Sequence, residues 1–305
     1  MNFQLTSISY HFVGDPIFPG LKTLPLSVFR EQLDAIEKKY TVISWPELRS
    51  HITGHIPLPE HACLLTFDDG TYDHYSVVFP ELKARGISGL FFLIGSRERG
   101  PKVLTQEGLP LVHLLQYLTA AVGEREIREL FLKTADEKTR TLFFEKEKEC
   151  LRDFLTSRFD DITFRTFKRV LGRYMYHEAL PLIRTLFTDR VGDPHEYSQK
   201  LYLAPEALRE MKDGGMHFGG HGIEHRWLAT ASPEEQEEEI ASSRSFLETI
   251  EEGPYAFSYP YGDYNESLFP MLQAHQYAAA FTGKEGTEHT NPFVINRFNA
   301  ALFTI

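Results

Sequence analysis

The sequence predicts an α/β fold carrying a mostly helical insertion, and three observations lead there. Short apolar runs rich in aliphatic and aromatic residues, ACLLTF at 62–67 and SGLFFLIG at 88–95, are too short for helices and read as buried strands. Helical patterns alternate with such runs, as in a parallel sheet wrapped by helices. Between about 108 and 200 the alternation lapses into a highly charged stretch, and a structureless loop of that length is improbable inside a domain. A chain of 305 residues is ample for one domain with such an insertion.

In chain order, Phe29, Leu33 and Ile36 recur at helical spacing behind Ser27, which reads as the N-cap. YSVVFPELKARG reads as a helix ending at Gly86, so residues 62–95 form one β-α-β unit. In the insertion, Phe143, Cys150, Leu151 and Phe154, then Phe164, Phe167, Leu171 and Tyr174, recur at i+3, i+4 and i+7, which predicts helices with an apolar face. MHFGGH at 216–221 reads as a short strand entering a loop. Behind it, SPEEQEEEIASSRSFLETI carries a full helix start: Ser232 as N-cap, Pro233 in the first turn and Glu235 in the capping-box position. Its glutamate run complements the helix dipole and predicts a solvated face.

Hydrophobic residues make up 42% and charged residues 25%, as in a soluble globular protein. A formal charge of −11 argues against nucleic acid as the main partner, since such binders carry a basic face. Two cysteines cannot build a disulfide framework, and Cys63 within an apolar strand reads as a buried thiol. The N-terminus lacks a basic segment followed by an apolar one, and no run approaches the ~18 apolar residues of a membrane span. A cytoplasmic protein is expected.

In the stretch MHFGGHGIEHRWLAT, His221 and His225 stand four apart with Glu224 between them. With 13 histidines in the chain such spacing arises by chance in about one of two sequences, and His51 and His55, among glycine and proline, share it. An H-x-x-E-H zinc peptidase needs both histidines on one helix with the glutamate as base. Gly219, Gly220 and Gly222 oppose that, each costing about 1 kcal/mol in a helix interior. Elsewhere LLTFDDG ends a strand in two adjacent carboxylates, Asp68 and Asp69, followed by Gly70. An ordinary Asp-Gly turn is one reading. The other is a site, because strand C-terminal ends are where α/β barrels place their chemistry. Successive strand side chains point oppositely, so bringing both carboxylates together needs a tight turn, which Gly70 permits.

TFDDG, with YDHYSVVFPELKARGISGLFFL behind it, closely resembles the first motif of the NodB-homology polysaccharide deacetylases, carbohydrate esterase family four. A given pentapeptide occurs by chance in about one of ten thousand chains of this length. YLAPEALREMKDGGMHFGGHGIEH resembles the family's second motif and FSYPYGDYN (257–265) the third. FTGKEGTEHTNPFVINRFNA resembles the C-terminal strands, and ISYHFVGD with PLSVFREQLDAIEKKYTVISWPEL the N-terminal lead-in. The resemblance spans about two-thirds of the chain, omits the insertion, and implies a distorted (β/α) barrel. It implies amide hydrolysis on an N-acetylated sugar, assisted by a divalent metal that polarises the carbonyl and activates water. By motif position Asp69, His221 and His225 would be the metal ligands and Asp68 the general base. The oxyanion would meet the backbone N–H of Tyr261, and the backbone of this motif, with Tyr259 and Pro260 as substrate-binding candidates, would line the groove. Two histidines and one carboxylate suit Zn2+, with Fe, Co or Ni as alternatives.

Two features depart from the family pattern. The arginine that many members carry in the third motif is Ser258 here, and the C-terminal Leu-x-His that supplies the general acid is not apparent. His11 in SYHF and His289 in TEHT are the candidates for the acid, a bound water being the alternative. Arg297 in INRFNA is a candidate to order the site or bind substrate, or else a surface cation. Glu224 is expected to be solvated, and Trp227 to line a sugar groove or pack on the barrel. The expected partner is an N-acetylated glycan, a glycan precursor or a glycosylated metabolite, with the insertion serving as lid, substrate wall or homo-oligomer contact. The alternatives are a hydrolase of small amides or ureides on the same fold and a catalytically silent carbohydrate-binding protein.

Overall fold

Eight strands form one parallel sheet, described in a computed structural model that covers residues 2–16, 18, 20–54, 56–95, 108–154 and 162–303. The strands are β1 (Phe3–Gln4), β2 (Thr6–Tyr10), β3 (Thr41–Val42), β4 (Ala62–Phe67), β5 (Leu90–Leu93), β6 (His217–Gly220), β7 (Tyr255–Ser258), β8 (Tyr277–Phe281), β9 (Glu288–His289) and β10 (Phe298–Asn299). The sheet runs β10-β2-β4-β5-β6-β7-β8, every pair parallel, with β3 beside the start of β4. β1 and β9 form a separate antiparallel pair. Residues 292–297 follow β8, with Ala280 N donating to Pro292 O and Thr282 N to Ile295 O, and the chain then joins β2 as β10. One segment thus meets both edges and curls the sheet into a distorted barrel, which removes the open edges.

The strands are apolar throughout because both faces are covered. In β4, Leu64 joins Leu90, Phe92, Ala256 and Phe281 in one cluster, while Cys63, Leu65 and Phe67 pack in another with Phe29, Leu33, Ile36 and Leu82 of the surrounding helices. That division is the period-two alternation of a strand.

The helices of the body are α1 (Leu26–Lys39), α2 (Trp45–Ile52), α3 (Phe79–Arg85), then α10 (Pro205–Asp213), α11 (Pro233–Leu247) and α12 (Leu268–Ala274), with α4 to α9 in the insertion. α1 begins one residue before Ser27's expected capping position: Pro25 is the N-cap, its carbonyl already accepting from Phe29 N. α3 follows a π-helical turn at His74–Val78 and ends at Gly86 in the left-handed conformation. α11 has both capping-box hydrogen bonds between Ser232 and Glu235. Its glutamate run, however, is not wholly solvated, since Glu239 is 2% exposed. His51 lies on α2 rather than among loop glycines, and His55 lies outside the described residues. Cys63 and Cys150 are buried free thiols.

The insertion comprises α4 (Leu111–Val122), α5 (Glu124–Thr134), α6 (Glu137–Phe154), α7 (Ile162–Arg169), α8 (Tyr176–Arg190) and α9 (Pro194–Leu201). Phe143, Cys150, Phe164, Phe167 and Leu171 are buried, as the periodicity predicts, among Leu114, Phe131, Ile183 and Phe187. Leu151 instead faces solvent and Tyr174 is half-buried. The side chain of Phe154 lies outside the described residues. A fully buried Leu or Phe contributes about 1.5–3 kcal/mol, so this cluster is a core in its own right. Ile94, just past β5, and Tyr202, just past α9, belong to it and tie it to the barrel.

Candidate metal centre

β4 delivers Asp68 and Asp69 to the C-terminal end of the sheet, and the backbone separates their directions. Asp69 (φ 79°) and Gly70 (φ 69°) are consecutive left-handed residues, so the turn that Gly70 permits begins at Asp69. A Cβ on Gly70 would lie 2.7 Å from the Leu93 side chain, so glycine is required by space as well as by φ. His225 (φ 51°) and Tyr261 (φ 59°) are left-handed too. Such backbone costs of order 1–3 kcal/mol per residue and clusters where a site over-determines it.

β6 delivers His221, whose N–H donates to Leu93 O. Gly222 (φ 73°) then turns the chain toward His225, and a Cβ there would strike Glu239 Oε2. Glu239 of α11 holds this loop from behind, Oε2 accepting from Ile223 N at 2.8 Å and Oε1 from Glu224 N at 3.1 Å. Burial pushes its carboxyl up to about 7.

His221 Nε2 and His225 Nε2 each lie 3.5 Å from Asp69 Oδ1. One ligand atom from each of these three buried residues falls within 4.8 Å of the others. His221 Nδ1–H donates to Ser258 O at 2.7 Å, which leaves the Nε2 lone pair facing the site. Burial lowers the pKa of His221, and brings His225 to about 3 together with the neighbouring His221, so both rings are neutral and ready to ligate. Burial opposes ionisation of Asp69, but the His113 and His225 imidazoles outweigh it and hold the carboxyl well below its ordinary range. Asp69 Oδ1 is buried without a hydrogen-bond partner. An ionised, buried, unpartnered oxygen facing two imidazole lone pairs is a donor set that a divalent cation fits.

Asp68 has a different setting. Arg297 grips it bidentately, Nη1 to Oδ1 and Nη2 to Oδ2, both at 2.8 Å. Arg297 also donates to Ser258 Oγ, Thr66 Oγ1 and Thr282 O, and is 4% exposed. Of the three roles expected for it, surface cation and substrate contact do not fit this setting; ordering the site does, through a buried clamp on Asp68. The arginine absent from position 258 is replaced by one arriving from the segment before β10. Burial would raise the Asp68 pKa, yet the Arg297 charge and hydrogen bonds bring it to about 2. His11, half exposed, places Nε2 3.9 Å from Asp68 Oδ2. Its carbonyl is held by His74 Nε2 at 3.0 Å.

Other expectations change. Tyr259 is fully buried, its hydroxyl donating to Phe293 O, so its side chain does not line the groove; Pro260 is buried as well. Tyr261 remains 40% exposed, its ring edge-on to His225 and stacked on Trp227 with centroids 4.3 Å apart. Trp227 thus packs beside the site, with Arg169 and Arg173 over its ring. His289 is a structural histidine: its nitrogens meet Leu5 O and Asn296 N, and burial lowers its pKa. Glu224 is half-buried and accepts from the Tyr176 hydroxyl instead of standing in solvent. The sequence reading missed His113, which comes from the insertion and places Nε2 3.4 Å from Asp69 Oδ2. The available signal was a lone histidine in the apolar helical run LVHLLQYL, a position that demands a polar partner.

A polysaccharide deacetylase family model matches residues 154–280, which hold His221, His225 and Tyr261 but not Asp68 and Asp69. The poly-beta-1,6-N-acetyl-D-glucosamine N-deacetylase of Escherichia coli K12 is 37% identical over 95 residues, 30% of this chain and 14% of that protein's length. Among solved structures, the Streptococcus pyogenes deacetylase PplD, in complex with acetate, superposes with a TM-score of 0.59 at 17% identity, covering 98% of this chain and 93% of that one. A de-N-acetylase from Aggregatibacter actinomycetemcomitans gives 0.58 at 14% identity, covering 99% and 97%. These likenesses extend over the whole chain and establish the fold.

Proposed function

We propose that this chain acts as a polysaccharide deacetylase, hydrolysing the amide bond of an N-acetylated carbohydrate, with a divalent metal held by Asp69, His221 and His225 and with Asp68 as general base. The observation that carries the reading is the division of labour between two adjacent carboxylates. Asp69 turns an unpartnered oxygen toward two neutral histidines, while Asp68 is locked by Arg297 with one face toward His11. When bound, the metal supplies Lewis acidity, polarising the amide carbonyl and making water acidic enough for a carboxylate with so low a pKa to deprotonate. Asp68 takes that proton as the oxygen attacks the carbonyl carbon. By motif position, the backbone N–H of Tyr261 donates to the developing oxyanion. His11 protonates the leaving nitrogen as the C–N bond breaks, giving acetate and a free amine. A histidine standing 3.9 Å from the base weighs against a binding-only protein. Zn2+ is the favoured ion on the two-histidine, one-carboxylate set; Fe, Co or Ni are alternatives.

For substrate, an oligomer or precursor of N-acetylglucosamine is the first choice, because the matched E. coli protein acts on poly-beta-1,6-N-acetyl-D-glucosamine. A cytoplasmic setting, which fractionation would test, directs the enzyme to soluble or lipid-linked glycan precursors. Self-association through the insertion is supported by Phe144 and Leu151, exposed seven residues apart on α6, and sedimentation would test it. Among the described residues no helix is long and apolar enough to cross a membrane. The functional test is acetate release from β-1,6-linked N-acetylglucosamine oligomers, beside a panel of small amides and ureides, before and after chelation. Acetate release that falls on chelation and returns with Zn2+ is expected. Turnover of the ureides alone would overturn the carbohydrate assignment.

A further inference from the structure

One buried side chain of the insertion reaches the candidate ligand Asp69 itself. α4 carries His113, fully buried, with Nε2 3.4 Å from Asp69 Oδ2, the oxygen that does not face His221 and His225. Its Nδ1 meets the hydroxyl of Tyr202. Tyr202 lies where α9 ends and the chain rejoins the barrel; it forms an antiparallel bridge with Thr71, and Leu203 N donates to Gly70 O at 3.0 Å. The two ends of the insertion therefore converge on the strained Asp69–Gly70 turn, one through its side chains and one through the backbone.

A phenol is an O–H donor at neutral pH, so Tyr202 donates to Nδ1 and the remaining imidazole proton sits on Nε2, the nitrogen 3.4 Å from Asp69 Oδ2. We propose that His113 and Tyr202 are positioning residues of the metal site: the tyrosine fixes the tautomer of His113, and His113 holds Oδ2 of Asp69 so that Oδ1 is presented to the cation. The proposal rests on Asp69, His221 and His225 being the ligands. A carboxylate can turn about its last torsion and offer either oxygen, and a donor on one oxygen selects the other. Outer partners of this kind cost 10–100-fold in metal affinity when removed. The insertion then completes the metal centre, whatever else it does for substrate.

The test measures Zn2+ affinity by competition with a chromophoric chelator, with circular dichroism confirming the fold. Wild-type protein should take up one Zn2+ per chain. His113→Leu should bind 10–100-fold more weakly. His113→Gln, whose amide N–H can stand in for Nε2–H, should recover most of that loss. Tyr202→Phe removes one hydroxyl, keeps the ring in the core, and should weaken binding less than His113→Leu, which keeps the test decisive should the leucine disturb folding. A folded His113→Leu or Tyr202→Phe protein with wild-type affinity would overturn the proposal, as would a His113→Gln protein no better than His113→Leu. Wild-type protein that takes up no Zn2+ would instead overturn the ligand assignment itself, and this inference with it.

Discussion

Asp68 and Asp69 are chain neighbours with opposite surroundings, and the difference defines their chemistry. Arg297 is the residue on which that separation depends, since four of its N–H groups are spent on Asp68, Ser258 and Thr66 and a fifth on Thr282. Removing one partner of a buried ion pair leaves the other charge uncompensated, at about 3–5 kcal/mol. Arg297→Gln is therefore expected to lower unfolding free energy by about that amount and to lose acetate release, as read by denaturant titration and a turnover assay. A variant of wild-type stability would contradict the clamp. The carboxylate pair and the two histidines were legible through the resemblance of TFDDG and GGHGIEH to family motifs, since their spacing alone carried little. Arg297 was legible as a candidate to order the site, but its partner was not, since that carboxylate lies 229 residues away and only barrel closure brings the two together.

At the scale of elements, the loop from β6 to His225 has glycine for its turns and relies on Glu239 for its anchor. Helix starts, strand ends and the capping box follow from local chemistry and could be read from sequence. Glu239 could not, because within PEEQEEEI it is one acidic residue of several, and only helix phase decides which one faces the barrel. Its pKa, raised by burial to about 7, sets a sign. The folded state holds the proton more tightly than the unfolded chain, so the stabilisation is complete below about pH 4.5 and is lost as pH rises through about 7. In metal-free protein, Glu239→Gln should abolish that decline between pH 5 and 8. Chemical denaturation at both pH values checks it, and parallel profiles for variant and wild type would contradict the burial of an ionisable group there.

Across the whole molecule, a segment just before β10 closes the sheet while also delivering Arg297, and the insertion fills its own core while delivering His113. The α/β alternation and the helical insertion were legible from periodicity. The contribution of the insertion to the site was not, because α4 reads from its pattern as an apolar packing helix. Metal content, measured together with turnover in three variants, tests the central assignment most directly. Wild-type and Asp68→Asn proteins should each hold one divalent ion per chain, with turnover falling about 10²–10⁴-fold in the latter. Asp69→Ala and His221→Ala should lose the ion. Full metal stoichiometry in both ligand variants would contradict the account.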